Sequence, residues 1–137
     1  MIEQLEPLVG TWDVETSLGD VRATTTFEWT LGGAFLLQRA QVDLPEAPDG
    51  LCVIAPDEQT GAFRQHYFDS RGVVRLYAMT FDGRTWTLRR EAPDFTPLGF
   101  AQRFGADVTA DRMAGAWETG TDGTWEKDFD MVYTRVR

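Results

Sequence analysis

The sequence predicts an all-β chain closed into a single up-and-down antiparallel β-barrel of about ten strands, with a short N-terminal helical turn closing one end. Three observations carry that prediction. Apolar and polar residues alternate with period two in segment after segment, the spacing that puts successive side chains on opposite faces of a strand. Turn residues break the alternation nine times, at intervals of about 8 to 12 residues, which leaves ten strands. No interval hides the helical crossover of roughly a dozen residues that a parallel pair requires, so neighbours pair antiparallel in chain order. A twisted sheet of that size curls and closes, which also removes its edges.

From the N-terminus, Ile2, Leu5, Leu8 and Val9 stand among acids as one helical turn lying across a barrel end, its length limited by Pro7. Gly10-Thr11-Trp12 opens the first strand. Leu18-Gly19-Asp20, Gly32-Gly33 and the segments 45–50 and 56–61 separate the first five strands. Asp69-Ser70-Arg71-Gly72 is a hairpin turn, with Asp69 bonding its own backbone and Gly72 taking positive φ. Asp82-Gly83 lies between two apolar runs and predicts a type I′ hairpin, in which both residues take positive φ. Segment 93–99, Ala110-Asp111-Arg112 and Gly120-Thr121-Asp122-Gly123 complete the punctuation. At 137 residues the whole chain, 1–137, is one domain near the commonest size, with no linker, repeat or low-complexity tract.

Residues two apart share a face, so parity sorts each strand into an inward and an outward set. The bulky sets are Trp12, Val14 and Thr16; Phe27 and Trp29; Phe35, Leu37, Arg39 and Gln41; Arg75, Tyr77 and Met79; Trp86, Leu88 and Arg90; Phe100, Gln102 and Phe104; Met113, Gly115 and Trp117. In the last strand Trp125, Lys127, Phe129, Met131, Tyr133 and Arg135 share a face. Four cations, Arg39, Arg75, Arg90 and Lys127, therefore fall among aromatics on four strands. An unpaired buried charge is too costly to persist, and the inward sets supply few acids, so an anionic group from a ligand is one completion. The alternative is that some of these strands face the other way, with arginine stems covering exposed aromatic surface. On the fifth strand either His66 or Tyr67 points inward, and parity alone leaves that choice open.

Composition narrows the classes of function. The chain is 42% hydrophobic, with nine Phe, five Trp and three Tyr, and no stretch approaches the roughly 18 apolar residues of a membrane-spanning helix. A formal charge of -9 repels phosphate backbones and anionic headgroups, which argues against nucleic acid and membrane partners. No basic and apolar leader precedes Glu3, and Cys52 is the single cysteine, so the expected location is cytoplasmic and the thiol is expected to be a buried small side chain. One His and one Cys build no usual zinc set, and no phosphate-loop spacing is present, so no metal and no cofactor is expected.

Gly10-Thr11-Trp12 after a helical turn resembles the Gly-x-Trp that opens the first strand of calycins, the lipocalin and fatty-acid-binding superfamily. The resemblance implies that Trp12 lies across the closed end and packs on an Arg near the chain's end, where Arg135 stands within Tyr133-Thr134-Arg135. The ten-strand count is similar to that of fatty-acid-binding proteins, which hold a carboxylate through Arg-x-Tyr. Arg75-Leu76-Tyr77 has that triplet, but on the sixth strand rather than the last. His66 to Val73, together with Trp125 to Phe129, looks most like bacterial lipocalin-like domains of unknown function. Nitrobindin-type haem barrels are nearby, but they open with Gly-x-Trp-x-Gly-x-Gly and ligate haem through a late His. Here Asp13-Val14-Glu15 follows the Trp, and the single histidine, His66, is mid-chain.

The leading expectation is a binding protein for a small amphipathic or anionic, fatty-acid-like ligand in an internal cavity. Arg39, Tyr67, Arg75, Tyr77, Arg90, Gln102, Trp117 and Lys127 are the candidate ligand-binding residues, with Trp12 and Arg135 as the structural closure. The alternative is an enzyme acting on a small hydrophobic substrate in the same cavity through Tyr77 or His66, although nothing in the sequence selects catalysis. A third reading is a filled barrel whose polar interior is internally satisfied and whose role is dimerisation, as a homodimer, or partner binding. His66 and Asp69 are three apart, on opposite faces, and make no triad with Ser70.

Overall fold

The computed structural model describes residues 1–137. After a 3-10 turn at Ile2–Leu8 come ten strands: β1 (Gly10–Thr16), β2 (Arg22–Thr30), β3 (Phe35–Val42), β4 (Gly50–Asp57), β5 (Ala62–Asp69), β6 (Val74–Phe81), β7 (Thr85–Arg90), β8 (Ala101–Val108), β9 (Arg112–Thr121) and β10 (Thr124–Arg135). Each pairs antiparallel with its neighbours in the chain, and β1 pairs with β10 to close the barrel.

The two ends differ. Leu5 and Leu8 are fully buried beneath the N-terminal turn. Trp12 lies beside them and donates its indole N–H to the Leu8 carbonyl at 2.9 Å. In the β1–β10 register Trp12 stands opposite Arg135, whose guanidinium carbon lies 4.1 Å from the indole centroid. Above this plug Trp86 meets Phe27, Phe104 and Tyr133 at centroid distances of 5.9, 5.0 and 5.9 Å. These inclined contacts fill the lower half of the barrel in the edge-to-face manner that aromatic quadrupoles favour.

Parity holds on most strands and fails on two. On β3 the buried residues are Leu36 and Gln38, so Arg39 faces outward and pairs with Glu28 at 3.6 Å. Both faces of that strand are apolar, and bulk is a poor guide where Phe35 and Leu37 compete with Leu36, Ala40 and Val42. On β10 the register shifts between Lys127 and Phe129, leaving Asp128 as the extra residue of a β-bulge. The bulge flips the alternation. Phe129, Met131 and Tyr133 point inward, whereas Trp125 lies outside against Arg103 at 4.1 Å and Lys127 outside against Asp130 at 3.1 Å. On β5 Phe63, Gln65 and Tyr67 line the interior, which puts His66 outside between Val53 and Leu76.

The type I′ turn also sits elsewhere than predicted. Asp122 and Gly123, with φ of 52° and 81°, make the two-residue connection from β9 to β10. Asp82 instead uses its carboxylate to accept the N–H groups of Arg84 and Thr85 at 2.9 and 2.7 Å, and only Gly83 takes positive φ. No helix is long and apolar enough to cross a membrane.

Candidate functional site

At the end away from Trp12 the barrel holds a cavity of about 310 Å³ that is partly open to solvent. Its walls come from the upper halves of β3 to β10, and alternation aims one residue in two at it. Gln38, Cys52, Tyr67 and Arg75 form one cross-strand row on β3, β4, β5 and β6. Gln65 and Tyr77 lie side by side in the row below, and Trp86 is deeper still on β7. Leu88, Phe104, Trp117, Phe129, Met131 and Tyr133 make the opposite, apolar wall.

Four buried side-chain atoms in the protein lack any hydrogen-bond partner: Gln38 Oε1, Gln65 Oε1, Arg75 Nε and Trp86 Nε1. All four belong to residues lining this cavity. The atoms themselves are shielded from water, so the cluster marks a polar layer in the cavity wall that the chain leaves unsatisfied. Arg75 is the lining cation; it lies 6.0 Å from the Tyr67 ring centroid and has no carboxylate partner. Asp128, exposed at the bulge on β10, is the lining carboxylate and stands four strands around the barrel from Arg75.

The tyrosines are neutral acids here. Burial raises Tyr77 above its ordinary pKa, with Arg75 opposing the shift, and its hydroxyl approaches Gln102 Oε1 at 3.4 Å. Burial also raises Tyr67, whose hydroxyl donates to Asp69 Oδ2 at 2.8 Å. Asp69 in turn is held well below the carboxylate range by its bonds from Arg71. That pairing anchors Tyr67 at the rim. Burial pushes the Cys52 thiol up to about 12, which makes it a packing residue of the wall rather than a nucleophile.

Arg90 points inward, but its charge is already met. Its guanidinium donates to both carboxylate oxygens of Asp94 at 3.0 and 2.9 Å and to the Thr96 carbonyl at 2.8 Å. Asp94 also accepts the Leu76 N–H, and the Thr96 hydroxyl donates to the Val74 carbonyl. The 91–100 loop is thereby strapped over the start of β6, and both members of the ion pair are 4% exposed. The anion that the inward arginine requires comes from a loop rather than from a barrel strand.

Of the candidate residues, Tyr67, Arg75, Tyr77, Gln102 and Trp117 surround the cavity. Arg90 lies beside it as the strap's anchor, and Arg39 and Lys127 are on the outer surface. Sequence reasoning missed Gln38, Gln65 and the polar edge of Trp86. The signal was present: Leu36-x-Gln38-x-Ala40 and Phe63-x-Gln65-x-Tyr67 each place one amide in an otherwise apolar set. The outward His66 leaves a haem inside the barrel without a histidine ligand, and it removes His66 as an acid or base acting in the cavity.

No protein-family model matches the chain, and no curated protein matches it. Among solved structures the chain is similar to the crystal structure of Rv2717c from M. tuberculosis, with 13% sequence identity and a TM-score of 0.71 over 99% of this chain and 98% of that one. At that identity the likeness shows the barrel fold alone.

Proposed function

We propose that this protein is a binding module of calycin type, which holds a small amphipathic or anionic molecule inside the barrel and performs no chemistry on it. The carrying observation is a cavity of about 310 Å³ whose mostly apolar lining includes Arg75, which has no carboxylate partner, together with Gln38, Gln65 and Gln102. A filled structural barrel gains nothing from such a cluster, because each orphaned group costs about 1–3 kcal/mol of stability. The Trp12–Arg135 closure and the ten-strand count support the calycin assignment. Ion pairs on the outer face, such as Glu15–Arg22 and Arg103–Glu118, and the free Cys52 favour an aqueous, reducing compartment.

The test is titration with the anionic fluorophore 1-anilinonaphthalene-8-sulfonate, comparing the wild type with Arg75→Met. Loss of a charge-assisted hydrogen bond of about 1.5–3 kcal/mol predicts a tenfold to hundredfold weaker Kd in the variant. An unchanged Kd would remove the cavity arginine from the site and the proposal with it. A catalytic reading is favoured by one observation, the neutral Tyr77 hydroxyl beside Arg75, an acid next to a cation that stabilises developing negative charge. Conversion of a cavity-bound compound that ceases in Tyr77→Phe would establish it.

A further inference from the structure

The binding reading can be taken further, to the charge pattern of the ligand. We infer that the cavity is built for a small dipolar molecule, with an anionic group at one end and a cationic group, such as a protonated amine, at the other. A simple fatty acid supplies only the first. The inference rests on the reading of this cavity as a ligand site.

Two charged side chains line the cavity, Arg75 on β6 and Asp128 on β10. The charges around them are already met, Arg90 by Asp94, Arg103 by Glu118 and Lys127 by Asp130. Arg75 and Asp128 do not pair with each other. Their strands are four steps apart in a ring of ten, so the two charges stand on nearly opposite walls. Nε is the shielded nitrogen of the Arg75 guanidinium, which leaves its terminal N–H groups as the ones a ligand meets.

The bulge on β10 is what brings Asp128 to the cavity. Lys127 pairs across with Glu118 and Phe129 with Trp117, so Asp128 and Phe129 together oppose the single residue Trp117. Lys127 and Asp130 lie outside, bound to each other at 3.1 Å. Between them two consecutive residues, Asp128 and Phe129, line the cavity. Without the bulge, alternation in the register of Phe129 would send Asp128 to the outer face with Asp130. Asp128 is exposed at the open end, where its charge stays solvated and costs little to keep. An amine that reaches it also meets the faces of Trp117 and Phe129, which attract cations. At about 310 Å³ the cavity stands at the lower end of the roughly 300–1,000 Å³ range of small-molecule sites, so the body between the two charges is short.

The experiment is displacement of 1-anilinonaphthalene-8-sulfonate by three acids of one chain length, at about 0.15 M salt. Hexanoate, 6-aminohexanoate and adipate end in a methyl group, an ammonium group and a second carboxylate. In the wild type 6-aminohexanoate is expected to compete about tenfold better than adipate, because Asp128 attracts one terminus and repels the other. Asp128→Asn should weaken 6-aminohexanoate about threefold, strengthen adipate about threefold and leave hexanoate unchanged. Asp128→Ser repeats the change with a smaller side chain, so a fold defect in one variant does not silence the test. Asp122→Asn, in the β9–β10 turn, makes the same change in net charge away from the cavity, and its positive φ suits asparagine; the tenfold preference should persist there. Equal competition by 6-aminohexanoate and adipate in the wild type would overturn the inference. So would a preference that survives both Asp128 variants, or one that falls equally in Asp122→Asn. In each of those cases displacement that weakens in Arg75→Met leaves the binding reading standing. Absence of Arg75-dependent displacement by all three acids would remove both.

Discussion

Arg135 does the work of three capping groups at the closed end. Its guanidinium donates to the carbonyls of Ala110, Val9 and Pro7 at 2.6, 2.6 and 2.9 Å while its flat face covers Trp12. Donors fixed in a planar fork suit that task better than the compact ammonium of a lysine would. Gly10 makes room for it: its φ is +132°, and a Cβ there would collide with the guanidinium. We predict that Arg135→Ala costs about 2 kcal/mol, from the lost charge-assisted bonds and the cation–π contact, with an unchanged urea m-value. Gly10→Ala should also destabilise, and the double variant should lose less than the sum, because removing Arg135 relieves the collision but not the backbone strain. Additive losses in urea melts would break the proposed link. At this scale the sequence was most legible where one residue type has one job. The resemblance set Trp12 against Arg135, and the structure stacks one on the other. Arg39 was misplaced, because Phe35 and Leu37 made the solvent face of β3 look like a core face.

The element with its own switchable chemistry is the 91–100 loop, whose fold depends on Asp94. That carboxylate is held well below its ordinary pKa of 3.8 by Arg90 first and by the N–H groups of Leu76 and Thr96 after it. A depressed carboxylate stabilises the folded state fully above its unfolded pKa and loses that contribution as pH falls through the folded value. The strap is therefore expected to hold unchanged from about pH 8 to 5 and to fail only in acid. Asp94→Asn removes the charge at every pH and leaves Arg90 buried without its anion. It should cost about 2 kcal/mol at neutral pH and flatten the acid limb of the urea midpoint against pH. Amide exchange should rise in 91–100 and at Leu76; equal protection in both proteins would show that the loop is held otherwise. Period two and turn residues located the ten strands, since both follow from local chemistry. The bulge at Asp128 was not legible, because Trp125-x-Lys127-x-Phe129-x-Met131 alternates without a break in the sequence. Only pairing with β9 shows that two residues there oppose one.

For the whole molecule, the cavity sets stability against binding. A closed barrel with a packed lower half and a plugged end could fill its upper half with leucine, yet this chain keeps three unpartnered side chains of Gln and Arg and one indole N–H there. If those groups serve the fold, removing them weakens it. If they wait for a ligand, removing them strengthens the empty protein, because the cost of burying an unsatisfied group disappears. The two accounts differ in sign, which makes stability itself the discriminating measurement. We predict that Arg75→Met raises the stability of the ligand-free barrel by about 1 kcal/mol, or roughly 3–5 °C in Tm, while abolishing retention of the anionic probe. Saturating probe at about 100 times its Kd should return close to 2.7 kcal/mol to the wild type and nothing to the variant. With a net charge of -9 the protein repels anions at long range, so the measurement belongs near 0.15 M salt, where a Debye length of about 8 Å leaves short-range contacts in the cavity to decide the outcome. A variant that melts below the wild type in the absence of probe would assign Arg75 to the scaffold.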